Sequence, residues 1–207
     1  VADLSFDMAA YHYAEGLKAI GMMYHAAKGT LNEHRIDLGD RTREYRRHTD
    51  HGNAPIGEWE TDGHRLWDQE DVYRLEQQTV DDALVELRAA ITIAIYHHWE
   101  RNIPNQSATR FRKHTDLIAD AIRESVPLHA DVDALCFAAN YLKHGNDGGW
   151  LEKLATRWPD RFGQHVQGQC SNPSWVRYLT LSDEDVSWLI EIARASEREV
   201  IRHGTPK

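Results

Sequence analysis

Cysteine is nearly absent from this 207-residue chain, and so are most marks of a specialised class. Its two cysteines, Cys136 and Cys170, lie too far apart to form a Cys-x-x-Cys ligand or redox pair, and Cys136 reads as a small core residue. No apolar run approaches the roughly 18 residues of a membrane span, so no membrane-spanning helix and no membrane partner are expected. The first residues, Val1 to Asp7, lack a basic start followed by an apolar stretch. No signal peptide is therefore expected, and the cytoplasm is the expected compartment. There is no Gly-x-Gly-x-x-Gly run and no Gly-Lys-Ser/Thr phosphate loop, and no cofactor is expected. Thirteen histidines are present, but no His-Glu-x-x-His and no thiolate pair, so no metal site is expected either. A basic surplus is also missing: 24 Lys and Arg stand against 33 Asp and Glu, a net charge of −9. That balance opposes loose, salt-driven adhesion to nucleic acid but leaves room for a local basic groove.

What is present is globular and helical. Hydrophobic residues make up 41% and charged residues 28%, and a chain of this length buries about 70% of its unfolded surface as one domain. A single helical domain over residues 1–207 is the expectation. Phe6, Tyr13, Leu17, Ile20 and Tyr24 predict a helix over residues 5–28, ending near Lys28-Gly29. From Thr30 to Thr61 the periodicity fades, which predicts a short helix and a long loop. Leu75, Val80, Leu84, Leu87, Ile91 and Ile95 mark one face of a long helix from Asp68 to Arg101, stopped before Pro104. Ser107 opens a helix to Glu124, and Asp131 caps another that runs to His144 and stops at Gly145. A short helix follows Trp150 and ends before Pro159. Ser182 and Asp185 form a capping box for the last helix, whose face carries Val186, Leu189, Ile190, Ala193, Val200 and Ile201. Only Trp175 to Leu181 alternates as a strand does. The expected fold class is all-α, a bundle of about five to seven helices with at most one short strand or hairpin near 175–181.

Two helix ends carry chemistry. Asn140 and His144 are four residues apart and so share a face, with His144 in the last turn, where the helix dipole favours a cation, and Lys143 beside it. At the end of the Asp68–Arg101 helix, His97 and Glu100 are three apart and Arg101 follows, while His98 continues the apolar stripe and is expected to point inward. In an antiparallel bundle the two ends approach, which brings Glu100, Arg101, Asn140, Lys143 and His144 into one pocket; ordinary helix-end polarity is the alternative. Arg41, Arg43, Arg46, Arg47 and His48 form the densest basic run. A solvated helix face is the first reading of that run, and a phosphate-contacting arm the second.

The segment Ala139-Asn140-Tyr141-Leu142-Lys143-His144 resembles the Arg-Asn-x-x-x-His signature of HEPN domains, all-α ribonuclease and nucleotide-binding modules of prokaryotic toxin–antitoxin and antiviral systems. Asn140 and His144 match in place, and Ala139 stands where the pattern has Arg. The helix end Tyr96-His97-His98-Trp99-Glu100-Arg101 extends the resemblance, which covers about residues 70–160. It implies a HEPN-like homodimer whose two motifs face one cleft, acting on RNA in a bacterial stress or antiviral defence system, with a cognate antitoxin or defence-complex protein as partner. It further implies a metal-independent endoribonuclease in which the ribose 2′-OH attacks the adjacent phosphate. His144 is then the general acid or base, Asn140 orients it or the phosphate, and Lys143 or Arg101 supplies the charge that Ala139 lacks. His97, Glu100 and Arg101 become substrate-binding residues. A non-catalytic interaction or nucleotide/RNA-binding module remains the alternative.

Overall fold

Ala10, Leu17, Tyr24, Leu31, Leu38 and Tyr45 recur every seven residues, and all six lie on one helix, α1 (Met8–Asp50) in the computed structural model, which describes residues 4–103, 113–167 and 179–203. Five of the six are buried, and Leu31 is half-buried. Asp7 starts the helix by accepting the backbone N–H groups of Ala9 and Ala10, each at 3.0 Å. The sequence pattern predicts a stop near Gly29, with a short helix and a loop to follow. The helix continues instead, because a glycine inside a helix costs only about 1 kcal/mol, whereas burying Leu38 alone returns roughly 1.5–3 kcal/mol.

The chain divides into two compact units. The smaller, Tyr24–Leu87, holds the later part of α1, the early part of α2 (Gln69–Asn102) and a hairpin of β2 (Gly57–Trp59) and β3 (Arg65–Asp68). The Tyr45 hydroxyl accepts from the Ile56 N–H at 2.9 Å and donates to the Ile56 carbonyl at 3.3 Å, which anchors the approach to β2. A Cβ on Gly57 would lie 2.4 Å from the Trp67 carbonyl oxygen, so the close strand approach requires glycine there. Asp68 is buried against Arg65 and caps α2 by accepting the Asp71 N–H at 2.9 Å.

The larger unit takes the chain to Met23 and again from Arg88. It contains α3 (His114–Arg123), α4 (Val132–His144), α5 (Trp150–Arg157), α6 (Pro159–Gln167) and α7 (Asp183–Ala195). A two-stranded antiparallel pair joins β1 (Leu4–Phe6) to β4 (Ile201–His203). Ile95, Trp99, Leu117, Leu135, Leu151, Leu154, Phe162, Leu189 and Ile192 have no exposed surface and form its core. His98 turns inward as its stripe predicts, donating from Nε2 to the Tyr13 carbonyl at 2.8 Å and stacking on the Tyr13 ring at 4.8 Å. Tyr13 in turn donates its hydroxyl to the Ala193 carbonyl at 2.8 Å, which ties α1 to α7.

The fold class is all-α, with seven helices among the described residues. Gly145 ends α4 with φ +68°, and Ser182 and Asp185 make the expected capping box of α7. Asp131 stands at the N-cap of α4, but its carboxylate accepts the Trp158 indole N–H at 3.0 Å instead of capping. Pro159 opens α6 where only a stop was expected, since a proline at the first helical position forfeits no hydrogen bond. The last helix ends at Ala195, and Ile201 belongs to β4. Ser107, Phe111, Cys170 and residues 175–178 lie outside the described residues, and 179–181 carry no strand. No helix among the described residues is long and apolar enough to cross a membrane.

Two α1 glycines should respond oppositely to alanine. A Cβ on Gly16 would lie 2.3 Å from His98 Cε1, whereas among the described residues nothing lies within 4 Å of one on Gly21. Gly16→Ala should destabilise by about 1–3 kcal/mol and Gly21→Ala should stabilise by up to about 1 kcal/mol, as read by chemical denaturation.

Candidate functional site

Eight of the thirteen residues of α4 are buried, and most of the others fall on one face. Asp133, Phe137, Asn140 and His144 follow the 3–4 spacing of a single helical stripe, with Lys143 beside His144. The lower part of that stripe, from Phe137 to His144, lines a cavity of about 690 Å³ together with Tyr96 and Glu100 of α2, Lys113 and His114 at the start of α3, and Trp150 and Lys153 of α5. Its size is that of a small-ligand pocket.

The cavity is basic and aromatic. Among the described residues its lining carries three lysines, Lys113, Lys143 and Lys153, and one carboxylate, that of Glu100. An acidic chain thus concentrates positive charge at one place, the local groove that the composition leaves room for. Lys143 Nζ sits 5.6 Å from the Tyr96 ring centroid, and Lys153 Nζ sits 4.1 Å from that of Trp150 and 5.8 Å from that of Phe137.

The wall behind these groups is neutral. Asn140 Nδ2 donates to Cys136 Sγ at 3.1 Å, and the Tyr96 hydroxyl is hydrogen-bonded to the same sulfur. Burial pushes the Cys136 thiol up to about 11 and also raises Tyr96, so both stay protonated near neutrality. Cys136 is a packing residue that anchors Asn140.

Of the residues expected at the site, the structure brings Glu100, Asn140, Lys143 and His144 to this cavity. His97 contacts Glu100, with Nδ1 3.0 Å from Oε2, and stands behind it instead of lining the cavity. Arg101 is exposed and lies outside the lining. Ala139 has no exposed surface and faces the core, where an arginine side chain has no room. The Asn140 amide nitrogen donates one N–H to Cys136, and among the described residues no Asn140–His144 hydrogen bond is present.

His114 is a cavity residue that sequence reasoning missed. Its Nε2 donates to Asp133 Oδ1 at 2.9 Å, and the same carboxylate holds Arg157. The His114 side chain is 13% exposed, and its Nδ1 is buried without a hydrogen-bond partner among the described residues. Burial lowers the His114 pKa, opposed by Asp133 and Glu100, because a second N–H on the buried ring would have no acceptor. Asp133 is itself held below its ordinary value: burial raises it, but the His114 and Arg157 bonds outweigh that effect. No local pattern flags this pair, since its members are 19 residues apart on different helices. Trp150 and Lys153 also escaped notice as site residues, because Trp150 reads as the start of an apolar stripe.

The basic run of α1 belongs to the smaller unit and is largely paired. Arg41 contacts Asp37 at 3.8 Å and lies over the Tyr73 ring, Arg43 contacts Asp40, and Arg46 donates to Glu70 at 2.9 Å. These pairings fit the solvated helix face. Among the described residues, no three or more His, Cys, Asp or Glu side chains are grouped to hold a metal ion. No protein-family model, curated protein or solved structure matches the chain.

The His114 shift has a defined sign. With its folded pKa below the ordinary value near 6.5, the unfolded chain takes up the proton first as pH falls. Its contribution is full above that value and shrinks on acidification, until the folded imidazole also protonates. Asp133 acts lower, below its ordinary value of 3.8. Denaturation curves between pH 7 and 5 should therefore show a stability loss that is smaller in His114→Gln, which keeps a neutral donor for Asp133. Equal slopes in both proteins would refute the assignment.

Proposed function

We propose that the α4 cavity binds RNA and that the chain is a HEPN-like, metal-independent endoribonuclease of a bacterial stress or antiviral defence system. The observation that carries this reading is the gathering of Lys113, Lys143 and Lys153 around Asn140 and His144 in a chain of net charge −9. Cleavage of this kind needs a group to take the 2′-OH proton, positive charge on the phosphate as its oxygens gain charge, and a proton for the departing 5′ oxygen. His144 is exposed in the last turn of α4 and serves as the acid or base. Lys143 and its neighbouring lysines supply the charge that Ala139 cannot. A second copy of the chain completes the cleft, and a cognate antitoxin or defence-complex protein is the further partner.

A second reading, RNA or nucleotide binding without cleavage, draws support from two observations. Ala139 is fully buried, and the Asn140 amide is already engaged by Cys136.

Assays on single-stranded RNA separate the two readings. Wild type should cleave with and without a chelator, and His144→Ala should lower the rate by the ~10²–10⁴-fold of a lost general acid or base. Lys143→Ala should cost roughly 2.7–4 kcal/mol of barrier, the range found for lost oxyanion donors. Binding without cleavage by wild type would select the second reading, and equal cleavage by wild type and His144→Ala would remove His144 from the mechanism. Light scattering should show a dimer; a strict monomer would remove the shared cleft.

A further inference from the structure

Resting on the RNA-binding reading of the α4 cavity, we infer that Trp150 is a stacking platform for one unpaired base, so that the ligand is single-stranded and not duplex RNA. The turn before α5 is built around this indole. A Cβ on Gly148 would lie 2.4 Å from Trp150 Cε2, so the ring folds back into space that only glycine leaves open. Gly149 follows with φ +61°, the left-handed region that glycine favours. Asn146 braces the turn: its Oδ1 accepts the Leu151 N–H at 3.0 Å, and its Nδ2 donates to Glu152 at 2.9 Å. The placement of Trp150 is thus determined by its own backbone and not by burial alone.

Trp150 is half-buried, and its ring stands 5.8 Å from Phe137 at 36°, so the two rings form one aromatic wall of the cavity. The ammonium of Lys153 rests over the indole at 4.1 Å and donates to the Gly148 carbonyl at 2.9 Å. An exposed ammonium–indole contact is weaker than a base stacked on an indole. An arriving base displaces Lys153, whose ammonium exchanges both the indole contact and the Gly148 hydrogen bond for the phosphate of the same nucleotide. A base inside a duplex is stacked on both faces and cannot take this place, whereas an unpaired one can.

The test uses the full chain and labelled RNA, one single strand and one hairpin duplex of the same composition, with anisotropy as the readout. Wild type should bind the single strand more tightly. Trp150→Leu should weaken that binding by about 5–100-fold, Trp150→Phe should restore most of it, and Gly148→Ala, which displaces the ring without removing it, should weaken it too. If Trp150→Leu fails to fold, the Phe and Gly148→Ala variants decide by the same pattern. Duplex bound as tightly as single strand, or Trp150→Phe as weak as Trp150→Leu, would overturn the platform while leaving the cavity reading in place, provided Lys143→Ala still lowers binding. Absence of any RNA binding by wild type would overturn both.

Discussion

The burial of α4 on all sides but one is the constraint from which the rest of the larger unit follows. Ala134, Ala138 and Ala139 have no exposed surface, and such small side chains let neighbouring elements approach its backbone closely. Leu135, Tyr141 and Leu142 fill the remaining directions. Polar groups can leave this helix only along the Asp133 to His144 stripe. That is why the candidate chemistry gathers there, and why Phe137, the apolar member of the stripe, becomes an aromatic wall.

Asp133 shows how this constraint shapes the polar contacts. A half-buried carboxylate on a packed helix is costly unless it is paired. His114 from α3 and Arg157 from α5 pair it, so one acid fastens two neighbouring helices to α4. Exposure separates these groups into two sets. His114 is mostly buried and engaged, whereas Lys143, His144 and Lys153 are exposed at the cavity.

The charge distribution acts at short range. At physiological salt the Debye length is about 8 Å, so the excess acid of the chain is felt only weakly at a distance, and the potential inside the cavity is set by the three lysines that line it. Net charge and site charge therefore oppose each other without contradiction. In the smaller unit the same arithmetic runs the other way. Arg41, Arg43 and Arg46 of α1 stand beside Asp37, Asp40 and Glu70, so much of the charge of that run is paired in place, as the solvated helix face requires.

The sequence by itself determined what depends on neighbours along the chain. The helical class, the span of α2 to within a residue at each end, the Gly145 stop, the Ser182 capping box and the shared face of Asn140 and His144 all rest on spacings of a few residues, which helix geometry converts directly into position. The continuation of α1 was present as well, but as a one-in-seven seam too sparse to stand out among charges. Tertiary structure decided what depends on distant partners. It paired β1 with β4 across nearly the whole chain, spent Asp131 on Trp158, set His114 on Asp133, admitted Glu100 to the cavity and left Arg101 outside it. The strand pairing needs two distant segments to meet, and each of the others is a choice among side chains that local geometry leaves equivalent, made only by the packing of one helix against another.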